Sequence, residues 1–491
     1  MPIPKLLSKT KLMSGYRCLK CAYLTVHHPE LKAPITPEKQ ALFDEGNRVG
    51  EEARKRFPNG ILVTNPPWDF YGSLKKTREL IAAGVKTIYE PAFEYQGCFA
   101  RVDVIQFSKE TEKWSLYEVK SSTKLRLEQV DDVGLQAWII AGSGLKLEKI
   151  SVMHLNSECK YPDLENLFTI EDVTQQIRDK YRSIMPKVKE IFETVHLESA
   201  PDIDLGPYCV KPGDCDFKEV CFTEKKIPEI SVFNLPQIQD RKWELYKEGI
   251  IHLDDERLKD LTETQQRMVE AEKTGQRFVN QSGVKEALST WKFPLVFLDF
   301  ETINPSIPEY AGTSPKQQVP FQFSVDVAQK LDGPLTHAEY LHKDATDPRP
   351  VLISALLKAC EGSGSIVAYY AQFESARIQE MADCFPEHRE KLLALLPRMV
   401  DPLPIIREHV YDKAFHGSFS LKAVGPALLG DRHSYEGMKV GNGLEAQRAY
   451  QELTDGGTPP ARKDEIYKSM LEYCGKDTWV MVELVKWLYQ V

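Results

Sequence analysis

Two carboxylates two residues apart, at the end of an apolar run, are the first place where this chain could do chemistry. Asp299 and Glu301 close the stretch LVFLDFET, residues 295–302, in which five of the first six residues are strongly apolar. A run of that kind suits a strand buried on both faces. Residues at i and i+2 on a strand share a face, so the two acids project together. Side by side in a core they repel and lose hydration unless a cation lies between them. A divalent metal with oxygen ligands meets that need. Alone, the triplet also fits a strand that merely ends in an acidic loop.

A second constellation lies upstream. FARVDVIQF and KWSLYEVKSS are β-rich runs separated by the polar turn SKETE. Asp103 lies in the first; Glu118 and Lys120 lie at i and i+2 of the second and share a face. Two acids and a lysine converging from paired strands suit a Mg²⁺ site at which Lys120 orients or stabilises an attacking water. The competing reading is a cross-strand salt bridge on a solvated face.

The third set is sulfur. Of ten cysteines, Cys98, Cys159, Cys360, Cys384 and Cys474 are scattered singly and read as inert thiols. Cys18 and Cys21 stand near the start, and Cys209, Cys215 and Cys221 follow in GPYCVKPGDCDFKEVCF. Four thiolates, Cys18 with the three late ones, can hold a [4Fe–4S] cluster. Cys18 and Cys21 also form C-x-x-C, half of a Cys₄ zinc site, so zinc is the rival. Either group would pin the N-terminal helix to the far end of its domain.

These residues need elements to hold them. Residues 1–60 read as helical, ending at Pro58-Asn59-Gly60. ILVTN and KISVMHLN read as strands, and LKKTRELIAAG as a helix closed by Gly84. A helix over 127–141 carries Gln136. Residues 226–290 form a polar helical connector with no chemical residue. Beyond it, QFSVDVAQ suits a strand beside LVFLDFET, and SIVAYYA a further strand running into a helix whose mouth carries Glu374. Asp401 sits at a strand-to-helix turn, and the closing helix places Tyr473 and Asp477 at i and i+4 on one face. Lys422 and His416, in HGSFSLK, are candidate phosphate contacts or plain surface residues.

The chain has 491 residues, room for two to four domains. Its 42 % hydrophobic and 27 % charged content is that of an ordinary soluble protein. A net charge of −9 excludes a globally basic nucleic-acid binder but not a local basic groove. No apolar run is long enough for a bilayer, and the N-terminus lacks the pattern of a signal peptide, so the expectation is a cytoplasmic protein without a membrane partner.

The pattern Asp103, then Glu118-Val119-Lys120 after fourteen intervening residues, then Gln136, resembles the PD-(D/E)xK nuclease fold in its RecB-like branch. The resemblance assigns metal binding to Asp103 and Glu118 and active-site roles to Lys120 and Gln136. Of the family's earlier G-x-x-x-H motif Gly46 is present, and Gly50 stands where the histidine would be, with Glu45, Glu51 and Glu52 as neighbouring substitutes. One early and three late cysteines are similar to the iron–sulfur staple of CRISPR-associated RecB-like nucleases, which implies Cys18, Cys209, Cys215 and Cys221 as cluster ligands. Residues 291–491 resemble the ribonuclease-H-like 3′–5′ exonucleases of the DnaQ or DEDDy type. Asp299 and Glu301 match the first D-x-E, Phe373-Glu374 the second acid, and Tyr473 to Asp477 the Y-x-x-x-D ending.

The resemblance implies an α/β architecture in three parts: a PD-(D/E)xK restriction-endonuclease-like domain at 1–225 with an iron–sulfur cluster, a helical connector at 226–290, and a ribonuclease-H-like domain with a mixed sheet at 291–491. It implies a nuclease using Mg²⁺ or Mn²⁺, acting on DNA rather than RNA, in repair or anti-phage defence. Asp299, Glu301, Glu374 and Asp477 would hold the metals and Tyr473 would align the water. The alternatives are an RNA-directed exonuclease, or one domain acting only as a nucleic-acid-binding or scaffolding module.

Overall fold

The computed structural model describes residues 6–491. The chain is α/β and forms two compact units. The first runs to Lys226 and takes in Ser306–Glu309 and Ser314–Lys316; the second comprises Ile227–Pro305, Tyr310–Thr313 and Gln317–Val491.

The first unit opens with α1 (Lys9–Arg17), α2 (Leu19–His27) and α3 (Pro37–Arg54). Its main sheet has six strands in chain order: β1 (Ile61–Leu62), β2 (Thr87–Tyr89), β3 (Val104–Ser108), β4 (Lys113–Lys120), β5 (Leu147–Leu155) and β6 (Phe168–Asp172). The ladder is mixed: β3 and β4 are antiparallel, β4 and β5 parallel. Helix α4 (Leu127–Gly142) lays Val130, Val133 and Trp138 into the core and packs on β5 and on α5 (Thr174–Val195). FARVDVIQF is not one strand. Cys98–Arg101 pairs with Ala92–Tyr95 in a separate sheet, and the chain changes sheets at Val102 and Asp103. Asp103 is freed from the ladder there, and its Oδ2 accepts a 2.6 Å hydrogen bond from the Val119 amide. A short helix, α6 (Lys218–Glu224), carries Cys221, the last of the late cysteines.

In the second unit β7 (Leu295–Ile303) is the middle of five strands. On one side lie β8 (Val319–Ala328) and then β9 (Leu335–Leu341), both antiparallel to their neighbours. On the other lie β10 (Ile366–Val367) and β11 (Met399–Val400), both parallel. The two faces of β7 enter two cores. Val296, Leu298 and Phe300 pack with Leu352, Ile378 and Met381. Leu295 and Phe297 pack in the cluster that holds Met470, Tyr473, Met481 and Leu488 of α10 (Pro460–Gln490). Burying each large apolar side chain contributes about 1.5–3 kcal/mol, so the run LVFLDF fixes β7 from both sides. By alternation Asp299 and Glu301 share the α10-facing side.

The segment expected as a connector belongs to this unit. Val232, Leu235, Leu245, Met268, Val284 and Leu288 enter the same core as Leu295, and Phe278–Val279 pairs with Val410–Tyr411. The polar residues between those anchors make the stretch look like a spacer, although its apolar positions are buried. Among the described residues no helix is long and apolar enough to cross a membrane.

Candidate metal centre

Three side chains meet on one face of β7, in its middle and C-terminal half. Asp299, Glu301 and Asp477 each offer a carboxylate oxygen, and these atoms lie within 4.8 Å of one another. Two come from the strand, and the third from α10, one turn after Tyr473. Glu374 joins them from the first turn of α7 (Gln372–Cys384). The turn that delivers it is clamped by Asp401, the N-cap of α8 (Pro402–His409), which accepts from the amides of Tyr370 and Ala371 at 3.0 Å and of Leu403 at 2.8 Å.

The electrostatics are those of a site short of positive charge. Burial pushes Asp299 well above the usual carboxylate range, and Asp477, Glu301 and Glu374 push it further. Glu301 is pushed up to about 8 by burial and then Asp477, with Lys422 opposing. Burial likewise lifts Glu374 to about 8 and Asp477 to about 6, the latter against a hydrogen bond from Tyr435. Glu374 Oε2 is buried and has no hydrogen-bond partner among the described residues. Converging carboxylates with an orphaned oxygen beside them suit a hard divalent cation with oxygen ligands. Asp299, Glu301 and Asp477 would hold Mg²⁺ or Mn²⁺, with Glu374 at their edge.

Two of the neighbours, Tyr435 and Cys474, had no signal in the sequence, whereas Lys422 was a candidate from its motif. Tyr435 donates to Asp477 Oδ1 at 2.6 Å, and the Cys474 thiol lies 3.6 Å from Asp299 Oδ2. Lys422, on α9 (Leu421–Leu429), donates to the Tyr473 hydroxyl at 2.9 Å and to the Gly441 carbonyl at 2.6 Å. His416 is exposed on the preceding turn, with a left-handed backbone at φ 49°, and hydrogen-bonds to none of the four acids among the described residues.

In the first unit the predicted residues also converge, with company. Glu118 Oε1 accepts from Lys120 at 2.7 Å and from Lys9 at 3.0 Å. Both ammonium groups reach Asp132 as well, and Gln136 donates to Asp132 Oδ1 at 3.1 Å. Burial pushes Asp103 well above the usual range, with Glu118 and Glu90 adding to it. Glu118 is held below that range: burial would raise it, but Lys120 and Lys9 outweigh burial. Lysine ammonium groups already sit on Glu118 and Asp132, which leaves a divalent ion a poor fit here, although Glu118 Oε2 is buried with no hydrogen-bond partner among the described residues. Asp132 precedes Gln136 by one helical turn and is a partner the sequence could have suggested; Lys9, 109 residues before Glu118, is not.

All five clustered cysteines line one cavity. Cys18, at the joint of α1 and α2, and Cys21 meet Cys209, Cys215 and Cys221 beside Leu205 and Phe217. The Cys21 and Cys215 sulfurs are 3.8 Å apart. Hydrogen bonding from Cys21 holds Cys215 down to about 6, while burial pushes Cys221 up to about 11. Convergent sulfurs on apolar walls fit a thiolate-bound group of four ligands, with one cysteine to spare.

A family model described as "Domain of unknown function (DUF2779)" matches residues 296–420. The match carries Asp299, Glu301 and Glu374 and ends before Tyr473 and Asp477. No curated protein matches the chain.

Proposed function

We propose that this protein is a metal-dependent phosphodiester hydrolase acting on nucleic acid, a 3′–5′ exonuclease of DNA working at the second unit's acids. The observation that carries this reading is the set of three carboxylates within 4.8 Å, two from β7 and one from α10. The strand order supports a ribonuclease-H-like domain of the DEDDy type, since a central β7 is antiparallel to β8 and parallel to β10. The six-stranded mixed sheet with its cysteine cavity supports a RecB-like first unit carrying a [4Fe–4S] cluster.

Bound Mg²⁺ or Mn²⁺ would activate a water and offset charge on the phosphate. The protein's own groups supply the rest. Asp299, Glu301 and Asp477 bind and fix the register of that chemistry. Burial and the neighbouring Asp477 hold the Tyr473 hydroxyl far above its ordinary value, so it stays protonated and acts as a donor, not a base. Lys422 donates to the Tyr473 oxygen, and the phenol proton, which hydrogen-bonds to Asp477, is placed to turn to a water or a phosphate oxygen. Lys422 also places a cation beside the site for an anionic substrate.

The test is degradation of 5′-labelled single-stranded DNA, duplex DNA and single-stranded RNA with Mn²⁺. The expected result is DNA shortening from the 3′ end, abolished by Asp299→Asn. No degradation, or degradation untouched by Asp299→Asn, would remove the reading; preferential loss of RNA would change the substrate.

A further inference from the structure

Glu118 and Asp132 share two ammonium groups, Lys9 at 3.0 and 3.1 Å and Lys120 at 2.7 Å to each acid. Asp103 turns its Oδ2 to the Val119 amide. The next acid outward, Glu90, is paired with Arg54 at 3.2 Å and Arg101 at 3.6 Å. Three of the four carboxylates are thus ion-paired, Asp103 being held by the Val119 amide, and the four formal negative charges are matched by four cations. The contrast with the second unit is direct, since there the acids crowd together without an ammonium group on any of them.

The helix that could add a ligand does not. A Cβ on Gly50 of α3 would meet nothing within 4 Å, so that position leaves open space and offers no donor. Glu45 faces Arg48 at 3.4 Å and Glu52 faces Lys55 at 2.6 Å. Lys9 is the first residue of α1, directly after the N-cap Ser8. Its ammonium therefore reaches the site from a fixed helix start, not from a mobile loop.

We propose that Lys9 is the resident cation of the first unit's carboxylate site, its ammonium on Glu118 and Asp132 supplying the positive charge that a divalent ion held by Asp103 and Glu118 would otherwise bring. An ammonium satisfies two carboxylates by hydrogen bonds but neither acidifies a water nor accepts further oxygen ligands. The first unit then holds no hydrolytic metal. On the nuclease reading above, it contributes binding, and hydrolysis rests on the second unit.

The test is Mn²⁺ binding to the full chain, followed by calorimetric titration and by the electron paramagnetic resonance of free Mn²⁺. Wild type reports the second unit, and its failure to bind would count against the nuclease reading alone. In the Asp299→Asn/Asp477→Asn background the expectation is no Mn²⁺ binding. Adding Lys9→Met to that background should open a site, and adding Glu118→Gln should close it again. Lys9→Gln serves if the methionine variant does not fold, as judged by circular dichroism. Mn²⁺ binding in the background that Glu118→Gln removes would overturn the proposal. So would a folded Lys9 variant that gains no site.

Discussion

Tyr435 donates to Asp477 at 2.6 Å, so the charge on that carboxylate is shaped before any ion arrives. A partner that orients a ligating carboxylate is typically worth 10–100-fold in metal affinity, and Tyr435→Phe is expected to weaken Mn²⁺ binding by about that factor. Calorimetric titration reads it; unchanged affinity would reduce the bond to packing. The raised acids make a second prediction. Glu301 and Glu374 keep protons in the folded state up to about 8, whereas the unfolded chain releases them near the ordinary value of about 4. Folding stability from these groups is fully present below that ordinary value and is lost as pH rises toward 8. Without divalent ions the melting temperature of the second unit should fall between about pH 5 and pH 8, a window set by these groups. Glu301→Gln should flatten that slope, and Mn²⁺ should raise the melting temperature more at the upper end than at the lower. A wild-type slope identical to that of Glu301→Gln would contradict the assignment.

Local pattern goes far at the scale of elements, and it stops where contacts become long-range. LVFLDFET is legible as a doubly buried strand because every apolar residue in it finds a core, and the spacing of Tyr473 and Asp477 survives because one helix carries both. Glu374 is legible at the mouth of its helix. The run around Asp103 is legible only in part, because a β-rich sequence does not reveal a change of sheet, but the side chain still reaches the Val119 amide between Glu118 and Lys120. Lys9 and Tyr435 are invisible for the same reason, since only the fold brings them to Glu118 and Asp477. The connector reading fails because a polar helix with a few apolar anchors looks like a spacer until the core it fills is known. The cysteines are the opposite case, as their type alone announces them. Their cavity ties the α1–α2 joint to α6, so on the proposed [4Fe–4S] reading Cys18→Ser and Cys209→Ser should lose iron and colour and should lower the melting temperature of the first unit. Cys21→Ser should keep both if the early ligand is Cys18 alone. Metal analysis of protein purified without oxygen decides this, and tightly bound zinc in place of iron would reassign the site.

Each unit has its own apolar core, and each candidate inorganic group sits inside one unit. The first unit's core centres on Leu116, Ile139 and Ile191, with the cysteine cavity in the same unit. The second unit's cores meet β7 on both faces, and the acids stand on the face turned to α10. A ligand that binds only the native state stabilises the unit that holds it, by about 2.7 kcal/mol at a hundred times its dissociation constant. Scanning calorimetry of the whole chain should therefore show heat absorption that the two treatments divide. Mn²⁺ should move one part upward, and removal of the thiolate-bound group should move the other part downward. Asp299→Asn should erase the Mn²⁺ shift and leave the thiolate-linked part where it was. A single transition that follows both treatments together would mean that the chain unfolds as one cooperative body. If Mn²⁺ moved the cysteine-linked part instead, a divalent site would have to lie in the first unit, and the ammonium of Lys9 could not be what occupies it.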